Sequence, residues 1–211
     1  MPLLDSPVSD PILCKPSPDP WERIRAWRLR FVPVRATLVA LVATVIGVWI
    51  AHRVTAAVTA DEIREYVLRH MEGDTTVIAA WLRLCTAQIP LYVLLFCAGL
   101  TRFSGALSSG VLLVSGMTDG ATLALLWSAA SSDLAPAALP VAYLLRAVAE
   151  LVLRVYLATA ACRLARRMDD RDRGREGCFP LRRLLVRYVV AFVSVVAALA
   201  VACLGYVLLA F

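Results

Sequence analysis

The stretch YVVAFVSVVAALAVACLGYVLLAF, residues 188–211, contains no charged side chain and no proline. An uncharged apolar stretch of about 18 residues or more is typical of a helix that crosses the hydrocarbon core of a membrane. The whole chain has a matching composition, because hydrophobic residues make up 60% of its 211 residues and charged residues 18%. Soluble proteins average about 45–50% and about 25%. The sequence therefore predicts an integral membrane protein.

Four further apolar runs precede this stretch. The first, Ala36 to Ala51, reaches spanning length when Arg35, His52 and Arg53 snorkel towards the interface, and the other three are long enough by themselves. The predicted spans are about 34–55, 77–100, 103–130, 134–162 and 188–211. We therefore predict an all-α integral membrane protein, a bundle of five transmembrane helices within residues 31–211. Residues 1–30 are polar and contain six prolines, which predicts a disordered tail.

The basic residues are distributed unequally about these spans. Sixteen Lys and Arg residues fall in the N-terminal flank, at Arg102 and in residues 163–187, whereas three fall in the segment 52–76. Cytoplasmic loops carry the excess of Lys and Arg. We expect a multi-pass protein of the cell membrane with a cytoplasmic N-terminus and an extracytoplasmic C-terminus.

The segment 52–76 has a helical signal of its own. Thr59 and Glu62 have the spacing of a capping box. The apolar residues that follow share one helical face, and they are Ile63, Tyr66, Val67 and Met71. We predict a short amphipathic helix on the outer membrane surface, and the alternative is a docking helix for an extracytoplasmic protein partner.

Charged residues inside the predicted spans are the leading site candidates, since ionisable groups deep in a span usually face the bundle interior and pair. Spacing of four residues places three of them on one face of the fourth helix. By depth, Asp119 can meet Arg146 or Arg83, and Glu150 can be held by its two neighbours. The predicted intramembrane charge network is Arg83, Asp119, Arg146, Glu150 and Arg154. We interpret it as a structural ion network; the alternative is an ion, proton or solute path.

The third predicted span is rich in small residues. Gly116 and Gly120 form a GxxxG pair, Ala106 and Gly110 form a second small pair, and Gly105 lies near the start of the span. Such pairs let two helices approach closely in a membrane. We predict packing within the chain, with a dimer seam as the alternative.

Signatures of enzymes and of nucleic-acid binding are missing from the sequence. It has no HExxH, GxSxG or Walker motif. Apart from His52 at the flank of the first span, no histidine lies in a span to activate Ser109. Its six cysteines form no CxxC pair, so we expect no metal and no cofactor. Basic residues beside apolar spans indicate a lipid-bilayer partner and no nucleic acid.

The fourth span carries a resemblance to a known family. Glu150-Leu151 is followed by VLRVYLATAAC and then by Arg163-Leu164. This pattern and the overall layout resemble the stage II sporulation protein M family of bacterial membrane proteins. Leu145-Arg146-Ala147 stands where many family members carry Pro-His-Gly, so only Glu150 corresponds to a family position.

The resemblance implies a function without catalysis. The chain would be a scaffold or anchor for an envelope complex that remodels peptidoglycan, with membrane or extracytoplasmic protein partners. The alternative is a small permease or the membrane subunit of a transporter.

Overall fold

The computed structural model describes residues 31–55, 76–131, 136, 138–172 and 181–210. Within these residues all regular structure is helical, so the predicted all-α class is confirmed for them. The helices are α1 (Val32–Thr55), α2 (Val77–Gly99), α3 (Ser104–Ser131), α4 (Ala138–Asp172) and α5 (Leu181–Ala210). The predicted amphipathic helix at 59–71 and the predicted tail, residues 1–30, lie outside the described residues.

Four of these helices, α1, α2, α3 and α5, are long and apolar enough to cross a membrane. This is the pattern of a helical membrane protein. Helix α4 is longer than any of them but carries Arg146, Glu150 and Arg154 within three turns. Its composition alone therefore does not mark it as a span.

Helix α4 is the centre of the bundle, because it packs against each of the other four helices. The charged side chains in the middle of α4 point inwards: Glu150 and Arg154 are each 1% exposed. Its outer face is apolar, and that face is formed by Val141, Leu144, Leu145, Val148, Val152 and Tyr156. This arrangement is the reverse of an amphipathic helix in water, whose polar side faces the solvent.

Helices α1 and α3 approach each other closely through glycine. A Cβ atom at Gly116 would lie 2.7 Å from the carbonyl oxygen of Ala40, and one at Gly120 would collide with the carbonyl of Thr44. On the other side of the seam, a Cβ at Gly47 would collide with the carbonyl of Met117. The GxxxG pair of α3 thus packs against α1 of the same chain.

The two remaining glycines of α3 singled out in the sequence lie elsewhere on the helix. A Cβ atom at Gly105 or at Gly110 would meet no atom within 4 Å. Among the described residues, these positions therefore make no close helix contact. They differ from Gly116 and Gly120 in surroundings but not in residue type, which makes them useful controls.

Helix α2 is joined to α5 by side chains that reach backbone carbonyls. Trp81 Nε1 donates to the carbonyl of Ala200 at 2.8 Å, and Tyr188 Oη donates to that of Phe96 at 2.9 Å. The rings of Phe96 and Tyr188 stack at 4.9 Å between centroids. Phe96 lies in the last turn of α2, where carbonyls lack helical partners, so Tyr188 satisfies one of them.

Candidate functional site

The buried charges of α4 form a chain of ion pairs centred on Glu150. Arg146 Nε donates to Glu150 Oε1 at 2.6 Å, and Arg154 Nη2 donates to Glu150 Oε2. The three residues are four apart, so their side chains rise from one face of the helix. One carboxylate is therefore held by two guanidinium groups from the turns before and after it.

Asp119 of α3 extends this chain across a helix interface. Arg154 Nη1 donates to Asp119 Oδ2, and Tyr143 Oη donates to Asp119 Oδ1 at 3.4 Å. Depth alone suggested Arg146 or Arg83 as the partner of Asp119, whereas the structure pairs it with Arg154. The guanidinium of arginine has five donors in a planar fork, which lets Arg154 hold both carboxylates at once.

Arg83 lies apart from these ion pairs, on the exposed side of α2. Another residue of α2, Gln88, reaches the network instead: its Oε1 accepts from Arg154 Nη2 at 3.1 Å. The sequence did carry a signal for Gln88, because it is a polar residue that interrupts an apolar run. An amide deep in a span needs a hydrogen-bond partner.

Three tyrosines complete the surroundings of the charges, and sequence reasoning did not find them. Tyr92 Oη donates to the backbone carbonyl of Glu150 at 3.4 Å. The guanidinium of Arg146 lies 5.7 Å from the ring centroid of Tyr143 and 5.1 Å from that of Tyr206, within the range of a cation–π interaction. Tyrosine has an apolar ring and a polar hydroxyl. Within a run of apolar residues it therefore does not stand out as a member of a polar site.

The network has no net formal charge and is largely buried. Its two arginines balance its two carboxylates, and the side chains are 7%, 1%, 1% and 15% exposed for Arg146, Glu150, Arg154 and Asp119, respectively. Together with Gln88, Tyr92 and Tyr206, the network connects α2, α3, α4 and α5. A buried charge set of this kind adds little net stability, but removing one member leaves an uncompensated charge.

The site offers little for metal chemistry. Within the described residues, no group of three or more His, Cys, Asp or Glu side chains could hold a metal ion. Both carboxylates of the network are already bound by arginine. The ion pairs seen here join charges within α4 and between α4 and α3.

Comparisons of the chain with protein-family models, with curated proteins and with solved structures found no match. The fold and the site together define a class: a helical membrane protein whose central helix carries a neutral, buried charge network. The likeness to the stage II sporulation protein M family stays a prediction from the sequence.

Proposed function

We propose that this chain is a five-span protein of the cell membrane that serves as a non-enzymatic scaffold or anchor for an envelope complex of the sporulation protein M type. The buried charge network supports this proposal. Each acid in it is bound by an arginine of the same chain. The network therefore joins helices to one another and leaves no acid for a transported ion.

Helix α4 is the one span of the five that its composition alone does not mark, and its two faces support a membrane crossing. Its outward residues are apolar and at least 43% exposed, from Val141 to Tyr156, as expected of a surface that faces lipid. Its charges face the bundle interior, as intramembrane charges almost always do. Neighbours on α2, α3 and α5 supply partners for these charges, so α4 can cross the hydrocarbon core despite its composition.

Five spans give the orientation that the basic residues require. The N-terminal flank and residues 163–187 then lie on the cytoplasmic side, and the segment 52–76 lies outside. With only four spans, residues 163–187 would lie outside with nine arginines. The positive-inside rule therefore favours a crossing by α4.

A permease that carried cations or protons through Asp119 and Glu150 would need these acids to leave their arginines and bind the transported ion. Transport sites of this kind usually lie between broken helices at the midplane. Here Glu150 lies in an unbroken helix between two arginines. This geometry favours the scaffold over the permease.

The two functions are separated by one pair of measurements on the full chain. If the chain is a scaffold, crosslinking in membranes followed by mass spectrometry is expected to recover more peptidoglycan-remodelling enzymes with this chain than with a tagged control membrane protein of similar size. Proteoliposomes that contain the chain are expected to pass protons and cations no faster than empty vesicles. A flux above that of empty vesicles that is lost in Asp119→Asn would support the permease and overturn the scaffold.

A further inference from the structure

A basic groove lies between the end of α4 and the start of α5, outside the charge network. It encloses about 270 Å³. Three arginines line it, Arg163 and Arg167 from α4 and Arg187 from α5. Beside them the wall is formed by Tyr156, Thr159, Ala160 and Ala191. The groove thus has a cationic end and a largely apolar end.

If α4 crosses the membrane as proposed above, the arginines are expected at the depth of the lipid headgroups. Arg163 is thirteen residues beyond Glu150, which is about 20 Å along a helix axis. Half of the hydrocarbon core is about 15 Å thick, so Arg163 lies just outside it if Glu150 is near the middle. Arg187 directly precedes the uncharged stretch that begins at Tyr188. Both helices therefore place their arginines at the same boundary.

These arginines take no part in the ion pairs of the buried charge network. None of the residues that line the groove is acidic. The arginines of that network are Arg146 and Arg154. Three like charges around one groove repel each other, and an anion placed among them would relieve that repulsion.

We propose that this groove binds the phosphate of an anionic phospholipid headgroup from the cytoplasmic leaflet. Guanidinium groups bind phosphate oxygens through paired hydrogen bonds, and basic pockets between membrane helices are suited to anionic headgroups. The apolar end of the groove, at Ala160 and Ala191, offers a surface for the start of an acyl chain. A free phosphate ion would leave that end empty, so the shape favours a lipid.

The test compares two triple variants with the same change in charge. Arg163→Gln/Arg167→Gln/Arg187→Gln removes the groove arginines. The matched control, Arg166→Gln/Arg182→Gln/Arg183→Gln, removes three exposed arginines of the same two helices that do not line the groove. Native mass spectrometry of the full chain in detergent measures the binding of added phosphatidylglycerol, phosphatidylcholine or inorganic phosphate.

Wild type and the control variant are expected to retain phosphatidylglycerol in preference to phosphatidylcholine. Each basic residue near an anionic lipid strengthens binding by roughly fivefold. The groove variant is therefore expected to bind phosphatidylglycerol on the order of a hundredfold more weakly. Equal losses in both variants, or no loss in either, would overturn the proposal. Displacement of the lipid by millimolar inorganic phosphate would assign the groove to the free ion instead.

A measurement on wild type keeps the proposal testable if the groove variant does not fold. Photo-crosslinking with a phosphatidylglycerol that carries a reactive group near its phosphate is expected to modify the segments 156–167 and 184–191. Modification spread evenly over all helices, or confined to other segments, would contradict a dedicated site.

Discussion

Replacing Arg154 with glutamine is expected to destabilise the bundle more than any other single change in the charge network. Arg154 contacts Asp119, Glu150 and Gln88, and its loss leaves two carboxylates with one arginine, a net charge of −1. Breaking a buried ion pair costs roughly 3–5 kcal/mol in soluble proteins. We expect a loss of several kcal/mol in the free energy of unfolding, measured by titration of the purified protein with a denaturing detergent.

A second substitution is expected to recover part of that loss. In the double variant Asp119→Asn/Arg154→Gln, Arg146 and Glu150 remain as a neutral pair, so no uncompensated charge stays buried. Arg166→Gln is the matched control, because it removes an exposed arginine from the same helix and should change stability little. If Arg154→Gln is as stable as this control, or if the double variant is the less stable of the two, the network does not act as a neutral structural unit.

Glycine to alanine substitutions at two positions of α3 are expected to differ in their effect on the free energy of unfolding. At Gly120 the new Cβ collides with the backbone carbonyl of Thr44, and α1 must move away, at a cost of about 1–3 kcal/mol for overpacking. At Gly110 the new Cβ meets no atom within 4 Å. Alanine favours a helix by up to about 1 kcal/mol over glycine, so Gly110→Ala should be neutral or stabilising in the same titration.

The comparison contains its own control for helix propensity, because both changes are the same substitution in the same helix. A stable Gly120→Ala variant would show that α1 and α3 are not in close backbone contact. Destabilisation by Gly110→Ala that depends on protein concentration would indicate that this face is a dimer seam, the alternative left open by the sequence.

Local spacing accounts for the part of the site that lies within one helix. Arg146, Glu150 and Arg154 are four residues apart, and in the structure Glu150 lies between the two arginines. The pairing of Asp119 with Arg154 depends on how α3 is rotated and tilted against α4. Neither quantity is encoded in the spacing of charges along one helix, so depth alone suggested other partners.

The glycine pattern shows the same division. Gly116 and Gly120 mark a face where another helix can come close, but the pattern does not say which helix. Small residues on α1 supply the other side of the seam: Ala40, Ala43, Thr44 and Gly47. These residues are spread through an apolar run, and nothing in their spacing distinguishes that run from any other transmembrane span. The partner of α3 therefore became visible only in the packed structure.

Whether α4 crosses the membrane with its charges inside the bundle is tested most directly by the side of the membrane that the chain reaches after α5. A fluorescent protein that matures only in the cytoplasm and a phosphatase active only outside it are each fused after Phe211. Five spans with the proposed cytoplasmic N-terminus predict phosphatase activity and no fluorescence. The same reporters inserted after Gly174 are expected to give the reverse pattern, which controls for expression. If the N-terminus of the intact chain is shown to be cytoplasmic, fluorescence without phosphatase activity after Phe211 would place both termini on one side and contradict the crossing by α4.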